Sequence, residues 1–436
     1  MKRHPLILLA SAVMAASLLT ACSPGGTNTP TTTPPAGTPG TATTAPSTSA
    51  APVTITYWHA FSSDGQEVST LEKTIIPAFE AANPGITVQA VAVPYDQLHQ
   101  KLITGTAGGQ LPDVVRSDII WVPELANLGV LEPLDQTMPA FQDLSKQVFP
   151  GPLATNKWKD HYYGLPLDTN TLTLLYSPKN LTSWGVTLPT TWDDLKAIAP
   201  TLKGKGVTAY CDGGLSGWNL LPMIWSFGGS LTDDAVTTAT GHLNSPETVA
   251  AISYLLDMYK AGYTCTNFTD NSDSGVPFHA GQAATIPGGP WMFPIFAGQY
   301  PDFDLNAAPI PSGPGGSISV VGGEDIVMTA SSQHKDAAAK FIAYCLSQEA
   351  QLAMAKVGQM PVLSSLGPQL TQIQPYYAAF VQQLATARPR PATPAWPAID
   401  RALQDALQGL LVSGGDTKPV LDALATQVDA LLAQYK

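Results

Sequence analysis

A chain of 436 residues is too long for one simple hydrophobic core, and 21 Lys and Arg against 33 Asp and Glu leave it a formal net charge of -12. That balance excludes a nucleic-acid partner, because phosphate binding needs clustered Lys and Arg and no cluster is present; the acidic surplus mainly favours solubility. With 44% hydrophobic and 12% charged residues the composition is globular, and the length calls for two domains or two lobes of one architecture.

The N-terminus has the organisation of a secreted precursor. Lys2-Arg3-His4 precedes an apolar run, Leu6 to Leu19, that is too short to span a bilayer comfortably, and Leu19-Thr20-Ala21-Cys22 has the form of a bacterial lipoprotein processing site. Residues 1–21 are read as a signal peptide and Cys22 as the lipidation site, where acyl chains of the palmitate kind would anchor the chain to a membrane. Each buried lipid methylene adds about 0.8 kcal/mol of membrane affinity. From Ser23 to Pro52 only Ser, Pro, Gly, Thr, Ala and one Asn occur. Residues 22–52 therefore offer nothing to bury and read as a disordered spacer that stands a folded body off the lipid surface. No later stretch is long and apolar enough for a transmembrane helix.

Within the body, Val53 to Trp58 and Ile86 to Val91 alternate with period two and read as strands. Between them Val68, Leu71, Ile75, Ile76 and Phe79 keep helical spacing, and Asn83-Pro84-Gly85 ends the helix. Such a strand-helix-strand unit predicts parallel strands in an α/β layered fold. Asp113 to Val115 is the next strand, followed by a helical run through Val122, Leu125, Leu128 and Leu131. Leu172 to Tyr176 reads as a strand, and Trp192 to Leu202 as a helix started by Thr190-Thr191. Asp336 to Val357 forms two short helices with Ser347 as the cap between them, and Trp396 to Tyr435 is helical with a break at Ser413-Gly414-Gly415. Asp270 to Gly275 opens like a calcium loop, but Gly281 stands where the closing acid belongs, so it reads as a polar turn.

Besides Cys22 there are Cys211, Cys265 and Cys345. Cys345 lies on the apolar side of a helical segment and is expected to be a buried free thiol, whereas Cys211 and Cys265 sit near turn-like sequence and are the better disulfide pair for an oxidising compartment. No Gly-x-Ser-x-Gly elbow or His-Glu-x-x-His is present, the seven His are scattered, and no motif pairs two carboxylates. Neither a serine hydrolase nor a zinc enzyme is suggested, and no catalytic residue, metal or cofactor is assigned; a binding protein for a non-sugar solute and a surface polysaccharide-active enzyme stay open as alternatives.

Tyr57-Trp58-His59, Phe79 to Ile86, Leu111-Pro112-Asp113-Val114-Val115 with Asp118 and Trp121, Gly164-Leu165-Pro166, Pro189 to Trp192, Gly288-Gly289-Pro290-Trp291 and Gly322-Gly323 follow one another in a telling order and spacing. On these motifs the chain from Ile55 onward resembles the bacterial extracytoplasmic sugar-binding proteins of the maltodextrin-binding family, which deliver ligand to ABC importers. The resemblance implies the periplasmic-binding-protein fold: two α/β lobes, a hinge, and a sugar held in the cleft between them. It places lobe 1 at residues 53–165 and 312–358 and lobe 2 at 166–311 and 359–436, with crossings near Leu165 to Asn170, Ala308 to Ser312 and Gly358 to Leu363. It implies a monomer that binds without catalysis and hands its ligand to permease subunits. At Tyr176-Ser177-Pro178 the chain departs from relatives, which commonly carry Asn after the Tyr.

A pyranose presents an apolar C–H face and a rim of hydroxyls, so its sites combine aromatic rings with polar side chains. Trp218 in a glycine-rich stretch, Trp291 after Gly289-Pro290 and Trp396 between prolines are candidate stacking platforms, while Trp225, Trp158, Trp184 and Trp192 read as structural. Asp118 lies just past a strand end, where ligands of open α/β sheets gather, and in relatives the matching carboxylate accepts sugar hydroxyls. It also suits the N-cap of Ile119-Ile120-Trp121. Gly323 and Glu324 follow on a loop that faces the cleft in relatives. Trp58, His59 and Asp64 near the first strand end, Asp168 and Asn170 at the first crossing, and Arg388 and Arg390 complete the candidates, with one of the two arginines read as exposed.

Overall fold

Strand β1 (Val53–His59) alternates its side chains between two cores: Ile55 and Tyr57 join Phe79 and Phe341 on one face, while Trp58 packs with Leu98, Leu102 and Leu125 on the other. The structure is a computed structural model that describes residues 51–265 and 274–435. The signal peptide, Cys22 and nearly all of the spacer lie outside the described residues, as does the greater part of the loop that opens like a calcium site. β2 (Ile86–Ala92) pairs with β1 in parallel, Val53 opposite Ile86. Their crossover is helical from Glu67 to Ala82, and its middle, Leu71–Ile75, winds as a π-helix.

The remaining strands follow in chain order. β3 (Val114–Asp118) is parallel to β1; β4 (Lys157–Trp158) and β5 (His161–Tyr162) make a small hairpin; β6 (Gly164–Thr171) passes through Leu172 straight into β7 (Thr173–Tyr176). Then come β8 (Thr208–Tyr210), β9 (Ala283–Gly288), β10 (Asn306–Ala308), β11 (Val321–Met328) and β12 (Met360–Pro361). They assemble into a six-stranded sheet, β12-β6-β11-β3-β1-β2, and a four-stranded sheet, β10-β7-β9-β8. Trp192, Ile224, Leu255 and Leu403 build the largest core of the second lobe.

Local chemistry sets the helix ends. Thr191 and Asp194 form a reciprocal capping box at Trp192–Lys203, Ser347 caps Gln348–Ala355 by accepting from the Ala350 N–H, and the left-handed Gly414 stops Trp396–Ser413. Ser177 caps Pro178–Trp184 by accepting the Asn180 N–H. A disulfide joins Cys211 to Cys265 with a Cα separation of 5.0 Å, and Cys345 is a buried free thiol.

The lobe boundaries differ from the expected ones. Pro166 to Thr171 pair with β11 inside the first sheet, so the chain leaves that sheet at Leu172, not at 165. Ile318 and Val320 pack into the second core, so the return falls at Val321 and not at 312. Val362, Leu363 and Leu366 still pack in the first lobe, whereas Leu370 packs with Phe278 and Phe296, which moves the last crossing beyond Leu366.

Candidate ligand-binding cleft

The register places Asp118 of β3 opposite Glu324 of β11, and Glu324 opposite Asp168 of β6, so three carboxyl groups stand abreast on adjacent strands. Arg116, two residues before Asp118 and on the same side of β3, serves this row from beneath. Its Nη2 donates to Asp168 Oδ2 at 3.1 Å and Gln359 Oε1 at 3.2 Å, and stands 2.7 Å from Glu324 Oε2. Gln359 donates onward to Glu67 Oε1 at 2.8 Å, and the guanidinium lies 4.2 Å over the Phe61 ring. Burial works against the charge of Arg116, but Glu324, Asp168 and Glu67 together hold it firmly protonated. Burial pushes Glu324 well above the usual carboxylate range, with Arg116 only partly offsetting it.

Asp118 is tied from three directions. Its Oδ1 accepts the Ile120 N–H at 3.0 Å and Arg390 Nη2 at 3.0 Å, and its Oδ2 accepts the Tyr95 hydroxyl at 2.5 Å. Tyr95 leaves its ring half exposed, 5.2 Å from Trp121, while its hydroxyl is buried against the carboxylate. Arg390 crosses from the second lobe and lies 5.2 Å over the ring of Trp218.

The opposite wall comes from helix starts in the second lobe. Trp218 occupies the first turn of Gly217–Ser226, and Trp291 the N-cap of Met292–Gln299; their ring centroids lie 6.5 Å apart at 31°. Asp400 accepts the Gly217 N–H at 2.5 Å and Gln404 Nε2 at 2.9 Å. Burial raises its carboxyl, which the Gly217 bond and Arg390 partly counter. Between the walls lies a cleft of about 1030 Å³. A second cavity of about 1070 Å³ is lined mainly by apolar groups such as Leu221, Val321, Leu370 and Leu384 and does not combine a Trp pair with buried carboxyls.

Asp118, Asn170, Trp218, Trp291, Gly323 and Glu324 all line the cleft. Gly323 and Glu324 sit in β11, not on a loop. A Cβ on Gly323, whose φ is +132°, would stand 2.4 Å from the Asp168 carbonyl oxygen, so only glycine fits there. Trp218 is helical, not in the glycine-rich loop that precedes it. Trp396 borders the cleft but is 1% exposed and belongs to the core, its ring so close under Gly217 that a Cβ there would stand 2.8 Å away. It is no platform.

Trp58 and His59 also fall away from the cleft. Strand alternation aims Trp58 at the core beneath the helix Tyr95–Gly108, and His59 is fully buried, with Nδ1 accepting the Phe61 N–H at 3.3 Å. Burial and then Arg116 lower the His59 ring to about 4. Asp64 is exposed, and Arg388 is exposed while Arg390 is buried. The residues that sequence reasoning passed over are Tyr95, Arg116 and Asp400. The signal for Arg116 was a lone charge inside the short buried strand that leads to Asp118.

Among the described residues no group of three or more His, Cys, Asp or Glu is arranged to hold a metal ion, and no helix is long and apolar enough to cross a membrane. The family model described as bacterial extracellular solute-binding protein matches residues 62–352. A putative binding protein of Brucella abortus (strain 2308) is 27% identical over 371 residues, covering 81% of this chain and 88% of its own length. The maltotriose-binding protein of Pyrococcus abyssi (strain GE5 / Orsay) is 25% identical over 360 residues, covering 80% of this chain and 74% of its own. The GacH receptor of Streptomyces glaucescens GLA.O, crystallised unliganded and in complex with acarbose and an acarbose homolog, matches with a TM-score of 0.80 at 25% identity, covering 88% of this chain and 99% of that chain. The fold is thus that of the two-lobed periplasmic sugar-binding proteins. With well over half of its length matched, the chain belongs to the bacterial extracellular solute-binding protein family.

Proposed function

We propose that this protein captures a carbohydrate, a sugar or short oligosaccharide, by closure of its two lobes and delivers it to the permease subunits of an ABC importer. The observation that carries the reading is the pairing of walls: Trp218 and Trp291 from the second lobe face Glu324 and Asp118 from the first across one cleft. Rings meet the apolar sugar face and carboxyls meet the hydroxyl rim. A ligand touching both walls stabilises the closed form by its differential contact with it, and binding needs no chemistry. The maltotriose-binding relative and the acarbose-binding structure support an α-glucan-like ligand.

Anchoring through an acylated Cys22 and action as a monomer complete the proposal. Titration calorimetry with glucose, maltose, maltotriose and longer malto-oligosaccharides tests the ligand class: saturable heat with at least one is expected, and heat only with non-sugar solutes overturns it. Intact sugar recovered after long incubation is expected, whereas a shortened product would mark an enzyme. Replacing Cys22 with Ala should release the protein from membranes; retention would remove the anchor.

A further inference from the structure

Tyr95 is the first residue of the helix Tyr95–Gly108, lines the cleft and is 49% exposed. A single exposed aromatic needs no explanation, but this one is not free to move. Its hydroxyl donates to Asp118 Oδ2 at 2.5 Å, and its ring lies 5.2 Å from Trp121 at 34°. The ring is thus held at its tip and along its side while half of the residue stays open. Such a tether gives up rotamer freedom without gaining burial. It is the state a stacking platform needs, because the ring is already ordered when a ligand arrives.

Asp118 places a hydroxyl acceptor beside that ring. A carboxylate offers about four acceptor positions. The Ile120 N–H and Arg390 take both on Oδ1, and the Tyr95 hydroxyl takes one on Oδ2, so one position on Oδ2 is left among the described residues. A sugar hydroxyl bonded there stands next to the Tyr95 phenol oxygen and brings its pyranose alongside the ring. Aromatic and acid thus adjoin on the first lobe alone, apart from the pairing of Trp218 and Trp291 with Glu324 across the cleft. Asp96 and Gln100 of the same helix line the cleft as well, with Gln404 on the second-lobe side. At about 1030 Å³ the cleft has room for more than one sugar unit, since small-molecule pockets run to roughly 300–1,000 Å³.

Resting on the reading of the cleft as a carbohydrate site, we propose that Tyr95 and Asp118 form a second sugar station, with the Tyr95 ring as a further stacking platform. One unit of an α-glucan lies between the Trp218 and Trp291 wall and Glu324, and the neighbouring unit lies on Tyr95 with a hydroxyl on Asp118 Oδ2. Tyr95 then has two roles in one side chain: its hydroxyl orients the acceptor and its ring meets the apolar C–H face. The station makes the protein selective for length, favouring a chain of two or more units over a monosaccharide.

Titration calorimetry of the full chain with glucose, maltose and maltotriose tests the station in Tyr95→Phe, Tyr95→Leu and Tyr95→Ala. All three variants lose the hydroxyl bond to Asp118, so differences among them report the ring. Maltotriose affinity in Tyr95→Leu and Tyr95→Ala should fall about tenfold below that in Tyr95→Phe. Tyr95→Leu fills much of the same space and reads the ring even if Tyr95→Ala does not fold. Equal maltotriose affinity in Tyr95→Phe and Tyr95→Leu overturns the platform. In wild type, maltotriose should bind at least about tenfold more tightly than glucose, a difference of about 1.4 kcal/mol, and equal affinities overturn the second station. If wild type binds none of the three sugars, the α-glucan reading fails and the station falls with it, whereas sugar binding that ignores the ring removes the station and leaves that reading in place.

Discussion

Arg390 Nη2 donates to Asp118 Oδ1 at 3.0 Å, joining a segment of the second lobe to the end of a first-lobe strand through a pair that is almost wholly buried. Truncating one partner leaves the other charged and unpaired. Arg390→Gln should therefore cost about 2–5 kcal/mol in urea denaturation. Combined with Asp118→Asn, the loss should fall short of the sum by about 1–3 kcal/mol; strict additivity would mean the two groups do not interact.

Trp218 and Trp291 are partly exposed on the cleft wall, whereas Trp396 is core. Ala at either of the first two should weaken the best sugar by about 1–3 kcal/mol with little change in melting temperature. Ala at Trp396 should instead cost about 3–5 kcal/mol of folding stability. Calorimetric titration and thermal melting of the three variants separate the two roles, and unchanged sugar affinity in Trp291→Ala would remove it from the site.

Cys211 directly precedes the loop whose Gly213 and Ser216 line the cleft, and its bond to Cys265 closes a separation of 54 residues. Replacing both with Ser should cost about 2–4 kcal/mol, mainly by freeing the unfolded chain. Non-reducing peptide mapping should recover the two cysteines as one linked species. Cys345 should stay unlabelled by thiol reagents until the chain unfolds, since it is buried and burial alone pushes its thiol far above the usual range.

Asp212 shows how that loop responds to pH. Burial raises its carboxyl to about 7, against bonds from the Tyr210 hydroxyl at 3.1 Å and the Gly213 and Gly214 N–H groups. A carboxyl raised on folding favours the folded state while protonated, so its contribution is complete below the unfolded value, about 3.9, and is lost as pH rises through about 7. Asp212→Asn should flatten the decline of stability between about pH 4 and 7 whatever its offset from wild type. An unchanged slope in urea melts across that range would show that Asp212 is already ionised.

The first strand-helix-strand unit was legible because alternation at Val53 to Trp58, helical spacing through Phe79 and the Asn83-Pro84-Gly85 stop all agree. The caps at Thr191 and Ser347 were legible for the same local reason. Trp396 was misread because its flanking prolines suggest a displayed turn, whereas Pro397 stands in the opening turn of a long helix, a place where proline suits a helix start. Arg116 and Tyr95 stayed hidden because each matters only through a partner far along the chain, Asp168 and Asp118 respectively, and local pattern carries no record of such meetings. The first crossing was misplaced because β6 runs through Leu172 into β7, one strand direction continuing where the chain changes sheets.

That continuation has a mechanical meaning. Thr171, Leu172 and Thr173 form a common axle: Thr171 Oγ1 holds the Val320 carbonyl at 2.7 Å, Ser319 Oγ holds the Leu172 carbonyl at 2.7 Å, and Thr173 lies opposite Gly288. Two crossings are thus clipped side by side and must turn in concert. Upstream along the axle stands Asp168 with its guanidinium partner, and just beyond Gly288 stands Trp291. Rotation about these crossings would change the angle between the charged floor and the aromatic wall, so the width of the cleft is set where the two crossings are clipped together.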